Sequence, residues 1–250
     1  MRDDGSSPLW QIDHHAARLC VDHFSGSLDL HQPGRGLHDL RLGEHALPGI
    51  EVLGVNFAAP APSDAYVRIR DLVATYVESP ERPLRIQIYW RWAPSSERLA
   101  GCTTVDLQVS VQTELLDGDP ELATASVLPL GEVSCLQDQP AASLGPAKTA
   151  ANSSGVPQPA RQCCWLFRLP NQRLSYAEMV HPQDVVEDEL ICRETQRQYQ
   201  LRHRLFATRL EKGVILRARV RGVLLPREHD AEMAAAAYAE FIDAPPPLTT

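Results

Sequence analysis

The sequence predicts an all-β protein, a large antiparallel double-sheet sandwich with one C-terminal helix. Three observations predict it. Arg85 to Trp92 alternates strictly, with Arg85, Gln87, Tyr89 and Arg91 on one side and Ile86, Ile88, Trp90 and Trp92 on the other. Asp106 to Gln112 and Leu216 to Arg221 repeat the pattern, the second with Arg217, Arg219 and Arg221. Successive side chains of a strand point to opposite faces, so each stretch reads as a half-buried strand with one wet face. Firm turn signals recur between such stretches, as in Ser79-Pro80-Glu81-Arg82-Pro83, where two prolines fix φ and remove ladder donors. The helical pattern comes last: Ala231 to Ile242 is alanine-rich and carries Ala234, Tyr238, Phe241 and Ile242 on one stripe.

The elements follow in order. Residues 9–57 read as antiparallel strands. Arg18 to Phe24 and Ser27 to His31 flank a Ser25-Gly26 hairpin turn, which would set Asp22 opposite Asp29; a second turn lies at Gly43-Glu44. Pro60 to Ser63 breaks the pattern. Tyr66 to Tyr76 turns through Arg70-Asp71, then come Leu84 to Trp92 and Val105 to Leu115. Asp117-Gly118-Asp119-Pro120 leads into Leu122 to Leu128. Between about 137 and 162 Pro, Ala, Ser, Gly and Gln dominate, with prolines at Pro140, Pro146, Pro157 and Pro159. Such a segment cannot bury enough apolar area to offset its ordering entropy, so a disordered inserted loop is expected there. Strands resume at Cys164 to Leu169, Ser175 to His181, Leu190 to Arg193, Gln198 to Leu210 and, after Glu211-Lys212-Gly213, Val214 to Leu225. Asp230 is the expected N-cap of the helix. The whole, residues 1–250, is read as a single domain, since sandwiches commonly reach ~200–250 residues.

Composition narrows the partners. The formal charge is −8, from 24 basic and 32 acidic residues, so the electrostatic footprint that nucleic acid demands is missing. The basic residues are 22 Arg and two Lys, a bias that a high-GC genome also produces. No apolar run reaches the ~18 residues of a membrane span, and Met1 to Pro8 has no apolar core of a secretory signal. A cytoplasmic protein with reduced cysteines and no membrane partner is expected. Oligomeric state is not legible.

Three segments, DAYVRIRDLVATYVESPERPLRIQIYWR, YAEMVHPQD and HRLFATRLEKGVILRARVRGVLLPRE, resemble an uncharacterised bacterial family of planctomycete type. The strand count and order are similar to the galactose-mutarotase-like supersandwich. That resemblance implies a fold and no particular activity.

The candidate ligand-binding surface is the polar side of the alternating strands: Arg68, Arg70, Arg85, Gln87, Tyr89, Arg91, Asp106 and Gln108. Sugars require planar bidentate donors and acceptors beside an aromatic plane, and these residues supply both. The plainer reading is a solvated face with cross-strand ion pairs, each worth ~0.2–1 kcal/mol. A second candidate is catalytic: His181 with Glu211 as an acid–base pair, because Glu178 and His181 fall on opposite faces of one strand. The Asp22/Asp29 pair would repel and could hold a hard cation, though Arg18 and solvent screening account for it without one. No phosphate-binding, dinucleotide, nucleophile-elbow or zinc-protease motif occurs, so no cofactor and no metal are expected. The leading expectation is a carbohydrate-recognition module with a glycan or sugar ligand. The alternatives are a sugar epimerase or mutarotase-like enzyme using His181 and Glu211, or a structural interaction protein with the 137–162 loop as tether.

Overall fold

The computed structural model describes residues 9–136, 144–146, 164–170 and 172–245. Its strands are β1 (Trp10–Asp13), β2 (Ala16–Val21), β3 (Phe24–Asp29), β4 (His38–Leu42), β5 (His45–Ala46), β6 (Glu51–Asn56), β7 (Asp64–Arg68), β8 (Asp71–Tyr76) and β9 (Arg85–Ala93). They continue with β10 (Thr103–Gln112), β11 (Leu122–Pro129), β12 (Glu132–Leu136), β13 (Leu144–Pro146), β14 (Cys164–Arg168), β15 (Leu174–Val180), β16 (Val185–Arg193), β17 (Gln198–Leu205) and β18 (Leu216–Pro226). Helix α1 (Asp230–Asp243) closes the described chain. The fold is the expected all-β sandwich with a C-terminal helix. Its strands form three antiparallel sheets: nine strands ordered β13-β12-β14-β15-β18-β10-β9-β8-β7, four ordered β16-β17-β11-β6, and five ordered β1-β2-β3-β4-β5.

Alternation determines which way the large sheet faces. Ile86, Ile88 and Trp90 of β9 are fully buried, beside Leu107 and Val111 of β10, Leu72 and Tyr76 of β8 and Val220 of β18. They share one core with Leu19 and Leu28 of the five-stranded sheet and Leu201 and Leu205 of the four-stranded one. Each fully buried side chain of this size contributes roughly 1.5–3 kcal/mol. Three buried aromatics place their polar tips on carbonyls of other elements. Trp90 Nε1 donates to Leu53 O at 3.0 Å, Tyr76 Oη to Leu30 O at 2.7 Å, and Trp10 Nε1 to Arg70 O at 3.1 Å.

The outer face of the large sheet is only partly covered. Ala234, Ala237 and Phe241 of α1 pack on Leu166, Ala177, Met179, Val223 and Leu225. The helix therefore covers β14, β15 and β18, and the outer face of β7 to β10 lies beyond it. No helix among the described residues is long and apolar enough to cross a membrane.

Three local expectations are corrected. The β2–β3 turn is Asp22-His23, with Val21 facing Phe24 and Asp22 at φ 45°. Ser25 and Gly26 lie in β3, and Asp29 faces Ala16, so the Asp22/Asp29 opposition does not form. The buried alternation of Phe24, Gly26 and Leu28 sets this register, and Gly26 serves packing: a Cβ there would sit 2.8 Å from Leu40 Cδ2. Within the expected 137–162 loop, Leu144–Pro146 instead pairs with β12 as an edge strand. An open sheet edge offers unpaired backbone groups to any extended segment, whatever its composition. The rest of that loop lies outside the described residues. Asp230 is not the N-cap. His229, at φ 58°, takes that position, while the Asp230 carboxylate accepts Arg168 Nε and Nη2 at 3.0 and 3.1 Å and Ser175 Oγ at 2.7 Å.

Candidate functional site

Register across β7, β8, β9, β10 and β18 assembles a charge ladder. Arg68 faces Asp71, Asp71 faces Arg91, Arg91 faces Asp106, and Asp106 faces Arg221. Signs alternate along the row, as cross-strand pairing favours. Arg91 grips Asp71 with Nε and Nη2 at 2.6 and 2.9 Å, and Arg221 grips Asp106 through the same two atoms at 2.6 and 2.9 Å. Arg68 Nη2 lies 3.7 Å from Asp71. The neighbouring row runs Tyr66, Val73, Tyr89, Gln108 and Arg219. His181 continues it, its backbone N–H donating to Arg219 O at 3.1 Å. In the third row Gln87 donates to Thr75 Oγ1 at 3.1 Å and accepts the Tyr89 hydroxyl.

The last turn of α1 meets these rows. Phe241 lies under the guanidiniums of Arg219 and Arg221, at 5.6 and 5.1 Å. Arg219 Nη1 donates to Ala244 O at 3.0 Å, and Asp184 Oδ2 accepts the Arg219 N–H at 2.9 Å. Between this wall and the ladder lies a cavity of about 180 Å³. Its sheet side presents Arg68, Tyr89, Arg91, Asp106, Gln108, Arg219 and Arg221, and its helix side Phe241, Ala244 and Pro245. Gln108 is 7 % exposed, and its amide nitrogen is buried without a hydrogen-bond partner among the described residues. A buried amide without a partner costs about 1–3 kcal/mol, which a ligand in the cavity would relieve.

The face is drier than the alternation suggests. Tyr89 is 9 % exposed and Asp71 4 %. Of the expected ligand-binding residues, Arg68, Tyr89, Arg91, Asp106 and Gln108 line the cavity, and Gln87 braces Tyr89 from beside it. Arg85 is exposed opposite Gln112 and does not border the cavity. Arg70 is exposed in the β7–β8 turn, where its carbonyl accepts the Trp92 N–H at 3.1 Å. Sequence reasoning missed Arg219, Arg221 and Phe241 as site residues. The arginine alternation was visible; the pairing of β18 with β10 was not.

His181 and Glu211 are not joined by any hydrogen bond or ion pair among the described residues. The His181 ring stands edge-on to Phe241 at 6.2 Å, and burial, followed by the Arg219 charge, lowers its pKa. Glu211 is exposed in the turn before β18, its carbonyl accepting the Val214 N–H at 3.0 Å.

A second polar cluster, also missed, lies between the nine- and four-stranded sheets. Glu178 and His203 are fully buried. His203 Nδ1 contacts Asp188 Oδ1 at 2.5 Å, and its Nε2 lies 3.2 Å from Glu178 Oε1. Glu178 Oε2 accepts Ser126 Oγ and Tyr176 Oη, both at 2.6 Å. Burial lowers the His203 pKa, but the Asp188 and Glu178 carboxylates outweigh it and raise the value to about 10. The adjoining void, bordered by Tyr176 and Gly222, is about 20 Å³, room for one water rather than a sugar. This cluster is an inter-sheet latch.

No protein-family model and no curated protein matches the sequence. Solved structures with a similar course of strands include a galactose mutarotase related enzyme from Lactobacillus acidophilus, with TM-score 0.46 and 8 % identity over 83 % of this chain and 96 % of that one. A putative kojibiose phosphorylase from human microbiome gives 0.44 and 6 % over 96 % of this chain and 33 % of that one. A heparinase III gene product gives 0.34 and 7 % over 72 % and 24 %. This chain thus spans a third or less of the latter two. At these scores the likenesses carry no argument about activity.

Proposed function

We propose that the protein is a carbohydrate-recognition module whose ligand enters the cavity between the charge ladder and the last turn of α1. The observation that carries this reading is Gln108, whose buried amide nitrogen has no partner among the described residues, in the wall of a cavity that four guanidiniums and the rings of Tyr89 and Phe241 also line. Planar hydrogen-bonding groups beside an aromatic plane are the chemistry of sugar recognition. Tyr66 offers a further ring on this face, 39 % exposed and in the same cross-strand row as Tyr89. The cavity is smaller than the ~300–1,000 Å³ of sites that enclose drug-sized ligands, which favours one sugar residue over a long chain.

A glycan array followed by calorimetry tests this. The wild type should bind a defined set of glycans. Tyr66→Ala should weaken that binding several-fold while changing stability by no more than ~0.5 kcal/mol, as exposed substitutions do. A wild type that binds no glycan ends this reading. The epimerase alternative through His181 and Glu211 ranks behind it, since neither residue lines this cavity.

A further inference from the structure

We infer that the ligand of this site carries a carboxylate, as a uronic acid does, and that Arg68, Arg91, Arg221 and Gln108 form its seat. The inference rests on the sugar reading above and deepens it. The ladder begins and ends on arginine, so three guanidiniums face two carboxylates. The acceptors are already engaged: both oxygens of Asp71 and both of Asp106 receive guanidinium N–H groups. The donors are not. Arg91 and Arg221 each use their Nε and Nη2 atoms, and among the described residues neither Nη1 makes a hydrogen bond. Arg68 makes an ion pair at 3.7 Å and no closer bond. The Gln108 amide nitrogen has no partner. Each guanidinium carries five N–H donors and no acceptor. The wall is therefore rich in donors and poor in free acceptors. A neutral sugar hydroxyl must donate as well as accept, whereas a carboxylate only accepts. Planar guanidinium forks match its two oxygens, and such charge-assisted bonds are about twice as strong as neutral ones.

The test is calorimetric titration of the full chain with D-glucuronate and D-galacturonate, beside D-glucose, D-galactose and citrate. The expected result is binding of a uronate that weakens with added salt, and little binding of the neutral sugars or citrate. Arg68→Gln should weaken uronate binding on the order of tenfold, from loss of a charge-assisted contact, with the melting temperature unchanged. A neutral sugar binding as tightly as its uronate overturns the inference and leaves the sugar reading standing. Citrate binding as tightly as the uronates keeps the anion seat and removes the sugar reading. Arg68→Gln binding uronate like wild type overturns the seat as drawn. No binding of any probe overturns both.

Discussion

Arg91 and Arg68 occupy one row and touch one carboxylate, yet they should respond differently to removal. Asp71 is almost wholly buried, and Arg91 holds both its oxygens. Arg91→Ala leaves that carboxylate with only Arg68 at 3.7 Å, so a loss of about 1–3 kcal/mol is expected in urea melts. Arg68→Ala should stay within ~0.5 kcal/mol. Equal costs would mean that Asp71 is solvated and the ladder merely decorative. His203 sets a pH dependence. Its folded pKa, about 10, lies above the ordinary 6.5. The stabilisation is therefore fully present below about pH 6.5 and is lost as pH rises through about 10, at on the order of 1 kcal/mol per pH unit. Urea melts from pH 7 to 9 should show this decline, and His203→Gln should be less stable at pH 7 and nearly flat across the window. A flat wild-type profile contradicts a protonated His203.

At the scale of elements, β18 does most to join fold and site. It lies between β10 and β15, sends Ala218 and Val220 into the core, and sends Arg219 and Arg221 to the cavity wall. Gly222 is its tightest point. A Cβ there would stand 2.5 Å from Tyr176 Oη and 3.1 Å from Leu53 Cδ1. Tyr176 could yield only by leaving Glu178, so Gly222→Ala should cost about 1–3 kcal/mol, the usual price of overpacking, readable as a lowered melting temperature. An unchanged melt would mean that β18 has more room than drawn. On the inward face of β9, Trp90→Ala should cost roughly 3–5 kcal/mol because the ring is fully buried and its Nε1 holds Leu53 O.

At the scale of the whole molecule, what was legible follows from what periodicity encodes. Alternation says which residues share a face of one strand, so the inward set of β9 and the polar set opposite it could be read directly. It does not say which strand lies alongside. Arg221 meets Asp106 across 115 positions, and His203 meets Glu178 from another sheet, so neither the ladder's fifth member nor the latch could be found from spacing. Glu178 sits in an alternating strand like any polar residue on a wet face, yet it points into the core, where Tyr176 and Ser126 bond its Oε2 and the His203 ring stands 3.2 Å from its Oε1 as an ion pair. The Ser25-Gly26 turn failed for a related reason: glycine marks close packing as well as turns, and here Leu40 needed the space. The site thus arises where a helix from the end of the chain stops short of covering a sheet drawn from its middle. Gln108 is where that account is most exposed. Replacing it with leucine removes a buried amide nitrogen that the described residues do not satisfy and keeps a similar volume. Calorimetric titration of wild type and Gln108→Leu with a glycan that the wild type binds, with thermal melts alongside, tests the claim directly. The account predicts that Gln108→Leu melts at or above the wild-type temperature and loses most of its affinity. A variant that binds like wild type, or one that unfolds because the amide served the fold, contradicts it.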